Sequence, residues 1–214
     1  MILSRGRAYI FIHAPKTGGT SMALALESRA MKDDIMLGDT PKAKRRRHRL
    51  NGVQTRGRLW KHSTLADLDG LITAQDLDGL FTFTLVRNPW DRAVSYYHWL
   101  QGQSFDHPAV ALAKSLDFEA FATHAQICKS LAAAPARHYM TDAMGRERAS
   151  LYIRLEHLQN DAIPLWENLG FELQLPFSNT SDRNSDYRAY YSAHSRTSIA
   201  SACAEDIARF SYSF

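Results

Sequence analysis

The run His13-Ala14-Pro15-Lys16-Thr17-Gly18-Gly19-Thr20-Ser21 follows directly on the apolar stretch Ala8-Tyr9-Ile10-Phe11-Ile12 and leads into Met22-Ala23-Leu24-Ala25-Leu26-Glu27. An apolar β-type stretch, a glycine pair and a set of helix formers read as strand, tight turn and helix. That junction is a phosphate cradle. The glycines let the backbone turn closely and bring its N–H groups to an anion. The following helix puts its unpaired N–H groups and its positive dipole end at the same place. Lys16 adds a cation, and Thr17, Thr20 and Ser21 add hydroxyls. The predicted ligand carries phosphate.

The order of residues argues against an ordinary nucleoside triphosphatase. In a Walker A loop the lysine follows the glycines; here Lys16 precedes Gly18 and Gly19. Such an enzyme also uses an apolar strand ending in Asp to help hold magnesium. The second strong strand, Leu80 to Val86, ends instead in Arg87. A site that meets its anion with Lys and Arg suits a nucleotide handled without magnesium, so no metal is expected.

After that strand the chain reads Arg87-Asn88-Pro89-Trp90-Asp91-Arg92-Ala93-Val94-Ser95-Tyr96-Tyr97-His98-Trp99-Leu100. Asn88 fits an N-cap, Pro89 the first helical position, and Asp91 a carboxylate reaching back as in a capping box. At about 100° per residue, Trp90, Ala93, Val94, Tyr97 and Leu100 share one face, expected to be core. Arg92, Ser95 and Trp99 share the other. Arg87 and Ser95 can then point at one ligand, and an arginine fork with a hydroxyl is a receptor for a second phosphate.

Taken together, Pro-Lys-Thr-Gly-Gly-Thr-Ser and Arg-Asn-Pro-x-x-Arg-x-x-Ser-x-Tyr resemble the two nucleotide motifs of sulfotransferases, which use 3′-phosphoadenosine 5′-phosphosulfate (PAPS). The resemblance is to the carbohydrate branch that includes the heparan sulfate 2-O-sulfotransferases, and to its shorter bacterial relatives. It implies that Lys16, Thr17, Gly18, Gly19, Thr20 and Ser21 bind the 5′-phosphosulfate, and that Arg87 and Ser95 bind the 3′-phosphate. Relatives close a polar, often basic loop near the nucleotide. The stretch Ser178 to Asn184 is similar in composition and makes Arg183 a nucleotide contact.

Sulfuryl transfer needs a held donor, a stabilised leaving group and a base for the acceptor hydroxyl. Lys16, on the cradle, suits the charge that builds on the bridging oxygen. For the base, imidazole has a suitable ordinary pKa. Lys61-His62-Ser63-Thr64 falls where the 2-O-enzymes carry a Gly-His-Val-Ser stretch, which makes His62 the candidate. Those enzymes have a second histidine two residues earlier, where this chain has Trp60. His13, His98 and Glu156 are the alternatives, with His13 also expected to pack at the strand end and shape the cradle.

Composition agrees. The chain of 214 residues, 45% hydrophobic, is read as one domain over 1–214, with enough apolar residues for a full core. The expected fold is α/β and P-loop-like, three-layered, with a central parallel sheet flanked by helices. Strands are expected at 8–12, 80–86 and 151–155, with Ile2 to Ile12 as a single first strand. Helices are expected from the cradle to about 31, at 89–102, 117–127 and 129–141, from 155 to Leu169 with Pro164 dividing it, and at 194–209. Residues 32–58 read as a long loop. Two cysteines make no disulfide framework, and no run reaches the ~20 apolar residues of a membrane helix. A cytoplasmic enzyme is expected.

The run Lys42 to Arg49 has Lys or Arg at six of its eight positions, against a net charge of only +4 for the chain. It is a local patch, suited to a solvated loop or an anionic acceptor. No stacking surface or reading helix accompanies it, so no nucleic-acid partner is expected. The acceptor is expected to bear a hydroxyl or an amine, on a carbohydrate, small metabolite or lipid headgroup. Two other classes fit the cradle: a small-molecule kinase or nucleotide hydrolase, and a non-catalytic nucleotide- or polyanion-binding protein.

Overall fold

The computed structural model describes residues 1–176 and 183–214. In chain order its elements are β1 (Ile2–Ser4), β2 (Tyr9–Ile12), α1 (Gly19–Ser28), β3 (Ile35–Met36), α2 (Pro41–Arg46), α3 (Ala74–Asp78), β4 (Phe81–Val86), α4 (Pro89–Gln101), α5 (Pro108–Ser115), α6 (Phe118–Thr123), α7 (Ala125–Ala132), α8 (Ala136–Tyr139), β5 (Leu151–Arg154), α9 (Leu158–Asp161), α10 (Ile163–Leu169), α11 (Ala193–Ala202) and α12 (Ala204–Phe210). They fall into two compact units, Met1–Val86 with Ala136–Ser178, and Arg87–Pro135 with Asn179–Phe214. Among the described residues no helix is long and apolar enough to cross a membrane.

The first unit is built on a five-stranded sheet in the order β3-β1-β2-β4-β5. The β2–β4 and β4–β5 pairs are parallel, with Phe11 opposite Phe83 and Leu85 opposite Ile153. Parallel strands are covered on both faces and therefore read as continuous apolar runs. Here Tyr9, Ile10, Phe11 and Ile12 are all buried, as are Phe83, Leu85 and Val86. Met22 and Leu26 of α1 join Phe11, Phe83, Leu85, Ile153 and Leu165 in one core. The α/β architecture with a mainly parallel central sheet flanked by helices is the one expected from the sequence.

Four expectations are corrected. The helices expected at 117–127 and 129–141 are instead α6, α7 and α8, broken at His124 and over 133–135. Ile2 to Ile12 is not one strand. It is a hairpin, with β1 antiparallel to β2 and Ala8 turning back onto the Arg5 carbonyl in a left-handed conformation. The polar Ser4-Arg5-Gly6-Arg7 between two apolar stretches was the signal for it. Residues 32–58 are not one loop, since they hold β3, α2 and a 3-10 turn at Arg47–Leu50. Finally, the last helix breaks at Cys203 into α11 and α12.

The basic helix α2 forms because of a tertiary contact that no local pattern carries. Glu27, near the end of α1, is buried. Its carboxylate accepts from the Thr40 hydroxyl and from the backbone N–H groups of Lys42 and Ala43. These are the orphan donors of the α2 N-terminus, supplied with an acceptor from another helix. Lys42 Nζ and Arg46 Nη1 in turn donate to the carbonyls of Glu27 and Met31, at 2.6 and 2.8 Å.

The second unit is helical. Trp90, Ala93, Val94, Tyr97 and Leu100 are buried as the projection required, against Phe118, Phe121, Ile127 and Ile199. Asn88 caps α4 through Oδ1, which accepts from Trp90 N at 3.1 Å, and Pro89 takes the first turn.

The Glu27 network carries a prediction. Glu27→Gln keeps the shape but removes the charge that holds three donors. It should lower unfolding free energy by about 1.5–3 kcal/mol, the range for a hydrogen-bonded charged group. Urea unfolding of the two proteins measures it, and equal midpoints would show that α2 does not depend on this carboxylate.

Candidate functional site

In the first unit the chain leaves β2 at Ile12 and turns through His13, Ala14 and Pro15 into the cradle. Lys16 has a positive φ of 65°, and Gly18 sits left-handed at φ 85°, ψ 6° as the N-cap of α1. Left-handed residues at such a turn aim successive N–H groups into one concavity. Both glycines are needed for space as well. A Cβ on Gly18 would lie 2.8 Å from Leu155 Cδ1, just beyond β5, and one on Gly19 would overlap the His13 ring.

The Thr17 hydroxyl faces inward, buried, and donates to the Ala14 carbonyl at 2.8 Å. What Thr17 can offer an anion is its backbone N–H. Lys16, Thr20 and Ser21 are half-buried at the rim. A small pocket beside α1 is lined by His13, Thr20, Gly38, Asp39, Thr40 and Lys61, among others.

His62 belongs to the same unit and reaches the cradle through His13. Its Nδ1 lies 2.7 Å from the His13 carbonyl oxygen. A carbonyl can only accept, so Nδ1 carries the proton and Nε2 keeps its lone pair. The ring meets His13 at 4.6 Å and 71°, and Trp60 at 5.0 Å and 87°. Burial pushes the His62 pKa down to about 4; the bond to His13 opposes the shift and the Lys61 charge adds to it. The ring is therefore neutral at pH 7, with its proton on Nδ1. Lys61 itself is paired with Asp39 at 2.7 Å. His13 is held well below the ordinary histidine pKa, chiefly by burial and then by His62.

In the second unit Arg87 opens the segment before α4. Its Nε and Nη2 lie 2.8 and 2.6 Å from Asp91 Oδ2, while Arg183 Nη2 lies 2.6 Å from Asp91 Oδ1. Asp91, expected only as a capping carboxylate, binds Arg87 and Arg183. It is the carboxylate that aligns two guanidinium groups. Ser95 lies one turn further along the same helix and is buried. Arg183 Nη1 is buried with no hydrogen-bond partner among the described residues. An orphaned guanidinium donor of this kind suits an anion. Arg92 faces Asp206 at 3.9 Å, a structural pair. Residues 178–182 of the polar stretch before Arg183 lie outside the described residues.

The basic run divides by role. Lys42, Arg46 and Arg49 donate to main-chain carbonyls, whereas Lys44, Arg45 and Arg47 are exposed. Sequence reasoning missed the part played by Asp91, although its i, i+4 spacing from Arg87 was visible. It also missed the His13 carbonyl and Leu155, which only the fold brings to the cradle.

The neutral state of His62 has a consequence for stability. Its pKa in the folded chain is below the ordinary 6.5, so the unfolded chain binds the extra proton between those values. The contribution to stability is fully present above about pH 6.5 and is lost as pH falls towards about 4. Urea unfolding at pH 7 and pH 5 should show a smaller acid loss for His62→Gln than for the unsubstituted chain. An equal loss would place the titration elsewhere.

No family model matches the chain, and no curated protein does. Among solved structures it is similar to the crystal structure of mouse sulfotransferase SULT7A1 complexed with PAP, at 17% identity and a TM-score of 0.53, over 94% of this chain and 84% of that one. At that identity the likeness is one of fold: the chain has the α/β, P-loop-like fold of a sulfotransferase.

Proposed function

We propose that residues 1–214 form one sulfotransferase domain that moves a sulfuryl group from PAPS to a hydroxyl or amine. The observation that supports this best lies within the first unit. A phosphate cradle and a neutral histidine of fixed tautomer are joined through the single residue His13. The likeness to a sulfotransferase that was crystallised with PAP adds to it.

When bound, PAPS supplies the sulfuryl group and leaves as the 3′,5′-bisphosphate. The cradle N–H groups from Lys16 to Ser21 hold the 5′ end, where the N-terminus of α1 favours negative charge. Lys16 stabilises charge developing on the leaving oxygen. Arg87, Ser95 and Arg183 take the 3′-phosphate, with Asp91 keeping the two guanidinium planes aligned beforehand. Nε2 of His62 accepts the proton of the acceptor hydroxyl, Nδ1 being already committed to the His13 carbonyl. The half-exposed Trp60, 43% accessible, flanks that ring on the solvent side. The exposed Lys44, Arg45 and Arg47 suit an acceptor that carries negative charge. A carbohydrate acceptor, a bacterial-type enzyme and a cytoplasmic site of action rest on the motif resemblance and composition.

Calorimetry tests the donor assignment. 3′,5′-Adenosine bisphosphate should bind more tightly than adenosine monophosphate by about 1.5–3 kcal/mol, the worth of a charge-assisted contact. Arg87→Gln should remove most of that difference, and EDTA should not change it. Equal affinity for the two nucleotides would reject PAPS as donor.

A further inference from the structure

We propose that His13 is a positioning residue: its carbonyl decides which nitrogen of His62 can take a proton, and its ring ties that carbonyl to the phosphate cradle. The proposal rests on the reading of His62 as base for its catalytic consequence, and on geometry alone for the tautomer.

His13 stands one residue beyond β2, where the chain has left the sheet. Its ring is held on three sides. It stacks on Phe11 at 5.9 Å and 20°, meets His62 at 4.6 Å and 71°, and fills the space that a Cβ on Gly19 would need. It is only 7% exposed. A ring packed in this way anchors the backbone it is attached to, and that backbone carries the carbonyl 2.7 Å from His62 Nδ1. If the carbonyl moves, His62 loses the acceptor that keeps its proton on Nδ1. The other tautomer would present Nε2–H, which cannot accept a proton from an alcohol.

Charges around the pair do not supply this control. Lys61, Asp39 and the Met1 amine face His62, and Lys61, Lys16 and the same amine face His13. They tune proton affinity, whereas the His13 carbonyl is the group that hydrogen-bonds to Nδ1. Of the two rings His13 is the more buried, at 7% exposed against a half-buried His62, so His62 is the ring an acceptor reaches.

The test uses the full chain with ¹⁵N-labelled histidines. Long-range proton–nitrogen spectra at pH 7 should show His62 as the Nδ1–H tautomer. In His13→Ala the signal should shift to Nε2–H or to a mixture, and kcat should fall on the order of 10²-fold, as expected for a misplaced catalytic group. His13→Phe, which keeps an aromatic ring, should restore the Nδ1–H signal and much of the rate.

Should His13→Ala fail to fold, Gly19→Ala displaces the same ring without touching His62 and should give the same spectral change. An Nε2–H tautomer in the unsubstituted chain overturns the proposal. So does an Nδ1–H signal unchanged in His13→Ala, or in Gly19→Ala where that variant is the one read. If no acceptor is sulfated at all, the sulfotransferase reading fails while the spectra still decide the role of His13.

Discussion

The 2.7 Å hydrogen bond from His62 Nδ1 to the His13 carbonyl joins two stretches 49 residues apart in the chain. One stretch is the exit of β2 into a glycine turn. The other is a segment with no regular structure between the basic helix and β4. Burial keeps the half-buried ring neutral, and the bond fixes the proton on Nδ1. That bond exists because the His13 ring has room, and it has room because residue 19 is glycine. Space for a backbone, helix dipole, ring packing and proton affinity thus meet at one residue of the cradle.

The second unit shows the same logic with charge. Two guanidinium groups brought close would repel, and each would seek an acceptor. Asp91 holds one on each carboxylate oxygen, so both are oriented at a fixed place along α4. The basic helix α2 is similar. Its cations were visible as part of a run, yet Lys42 and Arg46, with Arg49 just beyond the helix, hold main-chain carbonyls, and its start is capped by a buried glutamate from α1. A charge run is therefore only partly a surface feature.

Much of this was legible in the sequence. The cradle, the parallel sheet and the core face of α4 follow from glycine placement, apolar runs and helical periodicity, which are local; the helix expected to divide at Pro164 divides two residues earlier, at Ala162, with Pro164 in the first turn of α10. The β1–β2 hairpin was missed because apolar residues on both sides of a short polar turn look continuous. Helix α2 was missed because its capping carboxylate comes from Glu27, fifteen and sixteen positions before the N–H groups it binds. The tautomer of His62 could not be read at all, since it is set by a backbone carbonyl, and every residue has one. Thr17 was read as a hydroxyl donor from its type, but its depth in the turn sends that hydroxyl inward to Ala14.

The central claim is that this chain transfers a sulfuryl group, and transfer of radiolabel tests it most directly. Extracts of the source cell would be incubated with [³⁵S]PAPS and the purified chain, and the labelled product separated and counted. The account predicts label in a sulfate ester or sulfamate of an acceptor, dependent on the chain and absent with Lys16→Ala or His62→Ala. Label that stays in PAPS or inorganic sulfate across all acceptor fractions, with the chain folded and the bisphosphate bound, would contradict it and leave a nucleotide-binding protein on the same fold.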